Sequence, residues 1–110
     1  LTSSTKHMIN KDTLSLMKPT AFIINTSRGA LIDEKALVEA LKNQTIAGAG
    51  LDVQEEEPPK EDSPLYQLDN VILTPHMGWK GLETRQRLVS ILASNIKAYL
   101  EGNPINVVSK

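Results

Sequence analysis

Ile46-Ala47-Gly48-Ala49-Gly50-Leu51-Asp52-Val53 is the stretch on which the fold turns. It is apolar or glycine throughout until Asp52, which reads as a strand rather than a half-solvated surface. Its glycines signal close backbone approach, by another element or by a ligand. Upstream, Asp33 is placed to cap a helix running to about Lys42, with Ala36, Leu37, Ala40 and Leu41 at helical spacing and Asn43 as the stop. Before that helix come the turn Ser27-Arg28-Gly29 and a short apolar strand, residues 21–25. Asn10 can cap a short helix over residues 11–17, with Leu14 and Met17 on one face and Pro19 ending it.

Downstream, the Pro- and Glu-rich segment 54–64 reads as a loop, because patterned sequence resumes at once. Ser63 and Pro64 open a single helical turn through Leu68, Ser63 as cap and Pro64 at the first helical position. Val71-Ile72-Leu73 is a third strand, ended by Thr74-Pro75. A long helix spans residues 82–101, with Leu88, Leu92, Ile96 and Tyr99 along one face and Val89 and Leu100 beside it. Gly102-Asn103-Pro104 stops it, and the tail 105–110 reads as extended. The order is α-β-α-β-(short α)-β-α. Short apolar strands joined by helix-length connections make an α/β fold of three parallel strands with flanking helices and right-handed crossovers. It amounts to half of a doubly wound sheet.

Composition narrows the function. A formal net charge of −1 argues against a nucleic-acid surface. The absence of cysteine excludes disulfides and thiolate zinc sites and is compatible with a reducing compartment. No apolar run approaches membrane-span length.

Parallel strands end at one edge of their sheet, and ligands of such folds bind at that carboxyl edge. After the first strand come Asn25-Thr26-Ser27-Arg28-Gly29; after the second, Asp52 and then Glu55-Glu56-Glu57-Pro58; after the third, Thr74-Pro75-His76-Met77-Gly78. One cation for a substrate carboxylate, one imidazole for proton transfer and one acid to orient it thus reach one rim from three loops. Each also has a plainer reading. An Arg in a turn is ordinarily solvated, a Glu run is a solvated loop, His76 after a proline can be structural, and Asp52 can satisfy loop backbone. Their convergence makes the rim a candidate active site. Pro58-Pro59 stiffen the chain just after Glu57; Glu55 and Glu56 lack such a brace.

Met17-Lys18-Pro19, Ile24-Asn25-Thr26-Ser27-Arg28-Gly29, Asp33-Glu34, Gly48-Ala49-Gly50-Leu51-Asp52-Val53, Glu57-Pro58 and Thr74-Pro75-His76, in that order, resemble the D-isomer-specific 2-hydroxyacid dehydrogenases. The resemblance implies a Rossmann-type sheet, with residues 1–102 the C-terminal half of an NAD-binding domain and residues 103–110 a tail returning toward a substrate domain. It implies a nicotinamide dinucleotide, NAD or NADP, and a small 2-oxo or 2-hydroxy acid as substrate. It also implies a cytoplasmic homodimer, with neither nucleic acid nor membrane as partner.

The implied roles are specific. Arg28 resembles the arginine whose fork holds the substrate carboxylate. His76 resembles the general acid/base and Glu57 its partner, a carboxylate favouring the imidazolium. Thr26, Ser27, Arg28, Asp52, His76 and Gly78 line the implied nicotinamide pocket. Pro58-Pro59, Pro64-Leu65, Trp79 and Glu83-Thr84-Arg85 look most like glycerate dehydrogenases, also called hydroxypyruvate or glyoxylate reductases; Lys80-Gly81 departs from that look. Trp79 reads as packing or as substrate contact. The alternatives are a dinucleotide-sensing corepressor and an inactive fragment.

The chain starts at Leu1 and carries no Gly-x-Gly-x-x-Gly, so it reads as starting in mid-domain. By itself it is expected to be marginally stable or oligomeric and not to bind NADH, for want of a pyrophosphate site.

Overall fold

Three strands, β1 (Phe22–Asn25), β2 (Gly48–Leu51) and β3 (Val71–Leu73), form one sheet in the order β1-β2-β3. Both pairings are parallel, with Ile24, Gly50 and Ile72 in one cross-strand row and Asn25 beside Leu51. They belong to a computed structural model that describes residues 1–108 and divides into two units, Leu1–Met77 and Gly78–Lys110. The parallel three-stranded sheet with helical connections is the architecture expected from the sequence.

In the first unit, α1 (Lys11–Ser15) and α2 (Glu34–Lys42) pack together. Leu14, Leu37, Leu41, Ile46 and Leu65 are fully buried, joined by Ala49 and Leu51. Each large apolar side chain so buried contributes about 1.5–3 kcal/mol. Because successive strand residues point to opposite faces, Ile23, Ala49, Leu51, Val71 and Leu73 turn toward this core. Phe22, Ile24 and Ile72 turn the other way and are exposed. The glycines of β2 have a structural cause. A Cβ on Gly48 would lie 2.7 Å from the Asn70 carbonyl oxygen, so the close approach is made by a neighbouring segment.

Local chemistry sets most boundaries. Asn10 caps α1 by accepting from the Asp12 and Thr13 amides at 3.0 and 3.2 Å, while Thr13 Oγ1 accepts from the Asn10 amide at 2.8 Å. The helix stops at Ser15, earlier than residue 17, yet Met17 still packs on the core. Asp33 caps α2 through the Ala36 amide at 3.2 Å, and Asn43 closes it. β2 is shorter than residues 46–53, although Ala47 N–H to Ala21 and Asp52 N–H to Asn25 continue the ladder at either end.

Two expectations need correction. Ser63 stands at the cap position of the 3-10 turn Pro64–Gln67, but its hydroxyl is buried and makes no capping bond. The turn rests on Pro64 and on the burial of Leu65. The tail is not uniformly extended: Asn106 has φ +55, and its side-chain Nδ2 donates to Asn95 Oδ1 at 2.9 Å. Residues 109 and 110 of that tail lie outside the described residues.

The second unit holds α3 (Leu82–Leu100), none of whose residues is buried; Leu88, Leu92, Ile96 and Tyr99 are exposed. It ends in a Schellman motif, Gly102 N–H to Tyr99 and Asn103 N–H to Ala98, with Gly102 at φ +77. No described helix is long and apolar enough to cross a membrane.

Candidate active site

Asn25, at the end of β1, is buried and braces the turn that follows. Its Oδ1 accepts from the Ser27 amide at 3.1 Å and its Nδ2 donates to the Arg28 carbonyl at 2.9 Å. An asparagine tied to backbone on both sides of a short turn fixes its shape. Thr26, Ser27 and Arg28 are therefore held on the surface, with Arg28 Nη1 donating to the Ser27 carbonyl at 2.8 Å.

At the end of β2, Asp52 is buried. Its Oδ1 accepts from Thr74 Oγ1 and from the Met77 amide, the latter at 2.9 Å. One carboxylate oxygen thus brackets Pro75 and His76 from both sides. That bracket has a strained backbone to hold. His76 lies in the left-handed region at φ +50, with its N–H on the Thr74 carbonyl at 3.0 Å. Such a conformation costs about 1–2 kcal/mol for a residue with a Cβ. Asp52 does satisfy loop backbone, and the loop it satisfies carries the histidine.

Glu57 meets that histidine. Its Oε2 lies 2.8 Å from His76 Nδ1, and its Oε1 accepts from the Gln54 amide at 3.1 Å. The hydrogen bond with His76 holds the Glu57 carboxyl below its ordinary 4.5. The Gln54 amide adds to this against a smaller desolvation penalty, and the charges of His76 and Arg28 contribute last. Glu57 and His76, 19 residues apart in sequence, meet at the rim that also carries Arg28. Glu56 instead pairs with Lys60 at 3.0 Å. Glu55 is not unbraced: its Oε1 lies 2.6 Å from His7 Nε2.

A cleft of about 400 Å³ opens at this rim, bordered by Asp52, Glu57, Tyr66, Leu73, Pro75 and His76. Arg28 does not border it, but its charge reaches Glu57. A larger groove, about 540 Å³, follows α2 past Lys35, Glu39, Lys42 and Lys60; it touches none of the three candidate residues. Among the described residues no three His, Asp or Glu side chains gather as a metal site. Gly78 opens the second unit. In that unit the Arg85 guanidinium lies 5.8 Å from the centre of the Trp79 ring, within reach of a cation–π contact.

Four groups here carry roles that the sequence did not assign: Asn25, Thr74 and Glu55, which it placed at the rim without a partner, and the Gln54 amide. The first had a signal, an Asn two residues before a Ser in a turn. The Gln54 amide had none, since any residue supplies one.

Residues 1–78 match the family described as D-isomer specific 2-hydroxyacid dehydrogenase, NAD binding domain. The chain is 49% identical over 111 aligned residues to a glyoxylate reductase of Korarchaeum cryptofilum, spanning 100% of this chain and 33% of that protein. It is 48% identical to a glycerate dehydrogenase of Methylorubrum extorquens, spanning 98% of this chain and 35% of that one. Among solved structures, an acyclic imino acid reductase in complex with NADPH and D-Arg superposes with a TM-score of 0.89 at 42% identity, over 99% of this chain and 34% of that one. The chain spans about a third of the length of the curated relatives it matches. Ordered motifs, a parallel sheet with its polar residues at one rim, and a family match over most of its length lead to one conclusion: the chain belongs to the D-isomer-specific 2-hydroxyacid dehydrogenases.

Proposed function

We propose that the protein carrying this chain reduces a small 2-oxo acid, glyoxylate or hydroxypyruvate, to the 2-hydroxy acid with NADH or NADPH, and catalyses the reverse oxidation. The observation that carries the reading is the 2.8 Å His76–Glu57 bond at the carboxyl edge of the sheet, with Arg28 close enough to act on Glu57. Relatives named glyoxylate reductase and glycerate dehydrogenase support the substrate class.

The dinucleotide, when bound, supplies the hydride. The rim suits its nicotinamide end: a cleft walled by Leu73, Pro75 and Tyr66 also offers the polar groups of Asp52, Thr74 and Gln54. Thr26 and Ser27 complete that pocket in our reading. Arg28 holds the substrate carboxylate by its planar fork. His76, bound through Nδ1 to Glu57, exchanges a proton with the substrate oxygen through Nε2: it gives the proton in reduction and takes it back in oxidation. Glu57 fixes the orientation of the ring.

The test is NAD(P)H consumption by the full-length protein with glyoxylate, hydroxypyruvate and pyruvate. His76→Ala should lower kcat by about 10²-fold or more. Arg28→Lys should mainly raise KM, because lysine cannot make the fork. NADH binding without turnover of any of the three acids would instead indicate a dinucleotide-sensing binding protein.

A further inference from the structure

A second histidine–carboxylate pair stands behind the first. Glu55, two residues before Glu57, places Oε1 2.6 Å from His7 Nε2. Its Oε2 accepts from the Glu34 amide at 3.3 Å, and its own amide donates to Glu34 Oε2 at 3.1 Å. Glu34 is the first residue of α2, so the Glu55 carboxylate also lies at the positive end of that helix.

His7 is itself anchored. Its N–H donates to the Ala30 carbonyl at 2.9 Å and its carbonyl accepts from Asn10 Nδ2 at 3.2 Å. Gly29 lies so close to residues 54 and 55 that an added Cβ would sit 1.8 Å from the Gln54 oxygen. The loop that presents Glu57 is therefore tied, through Glu55, to α2 and to the 7–10 segment. Within it, the Gln54 amide then grips the other oxygen of Glu57.

We propose that Glu55 is a positioning residue for the Glu57–His76 pair. Held by His7 and by the first amide of α2, it sets the loop so that Glu57 reaches His76. The inference rests on the reading of that pair given above. Both His7 and Glu55 keep about a third of their side-chain surface exposed. A pair this solvated adds little to global stability, so its effect should fall on the geometry of the site.

The experiment uses the full-length protein and two readouts. The first is the carboxyl ¹³C titration of Glu57. In Glu55→Ala its midpoint should rise toward 4.5, the unperturbed value, with the melting temperature little changed. The second is a double-mutant cycle on kcat with glyoxylate and NADH or NADPH. Glu55→Ala should lower kcat about tenfold, as small misplacements of a reacting group do. Glu55→Ala/Glu57→Gln should then be no slower than Glu57→Gln alone.

If Glu55→Ala does not fold, Glu55→Gln is used in the same cycle. It keeps an acceptor for the Glu34 amide and should give a smaller loss with the same non-additivity. An unmoved Glu57 titration, or losses that multiply in the double variant, would overturn the proposal. Full kcat in Glu57→Gln, together with a Glu57 titration that does rise in Glu55→Ala, would overturn the role of the pair itself and leave the positioning intact.

Discussion

Gly29→Ala is the sharpest test of how the rim is built. The added Cβ would stand 1.8 Å from the Gln54 carbonyl oxygen, 2.0 Å from its carbon and 2.4 Å from the Glu55 nitrogen. All three are backbone atoms, so no side-chain rotation relieves the clash. A carbon needs about 3.3 Å from a carbonyl oxygen, so the 28–31 segment and the 54–57 loop must part by roughly 1.5 Å. Overpacking of this kind costs about 1–3 kcal/mol. The loop that must move carries Glu57, and Arg28 precedes the glycine on the other side. A displacement near 1 Å at a reacting group can lower turnover by about 10²-fold. Urea unfolding and steady-state kinetics of the full-length protein check both effects. A variant with wild-type stability and wild-type kcat would refute the claim that this backbone contact sets the site.

Three further outcomes follow from the geometry. The Glu57 carboxyl is held below 4.5 chiefly by His76, so the stabilisation it lends is complete above 4.5 and is lost as pH falls through the lowered value. The ¹³C titration of Glu57 should therefore lie below 4.5, and His76→Ala should bring it back up; an unchanged midpoint would break the pairing. Leu37→Ala, at a fully buried core position, should destabilise by about 2–5 kcal/mol in urea unfolding, and a loss under 1 kcal/mol would mean the core is not centred there. Asn10→Ala should cost about 1 kcal/mol by removing the Oδ1 that accepts from both the Asp12 and the Thr13 amides, seen as faster amide exchange at Asp12 and Thr13; unchanged exchange would deny the cap.

The division between sequence and structure runs along a physical line. Strand and helix identities were legible because burial imposes periodicity on the chain: β2 from its unbroken apolar run, and α2 from Ala36, Leu37, Ala40 and Leu41 between Asp33 and Asn43. The parallel arrangement followed from connection length, and with it the placing of Arg28, Glu57 and His76 at one rim. Pattern carries no distance, so Glu57 is singled out as the partner of His76 by family resemblance, with only the Pro58-Pro59 brace beside it, and not by periodicity. In a run of three acids the choice depends on the path of a few loop residues, and Gly29, the Gln54 amide and the His7–Glu55 pair decide that path. Nor could pattern reveal the Asp52 bracket, because that bond joins residues 25 apart in the chain. The sequence by itself determined which elements form and which chemical groups lie at their ends. Only the tertiary structure decided which of those groups touch, because hydrogen bonds act over about 3 Å and only the packed loops bring distant residues that close.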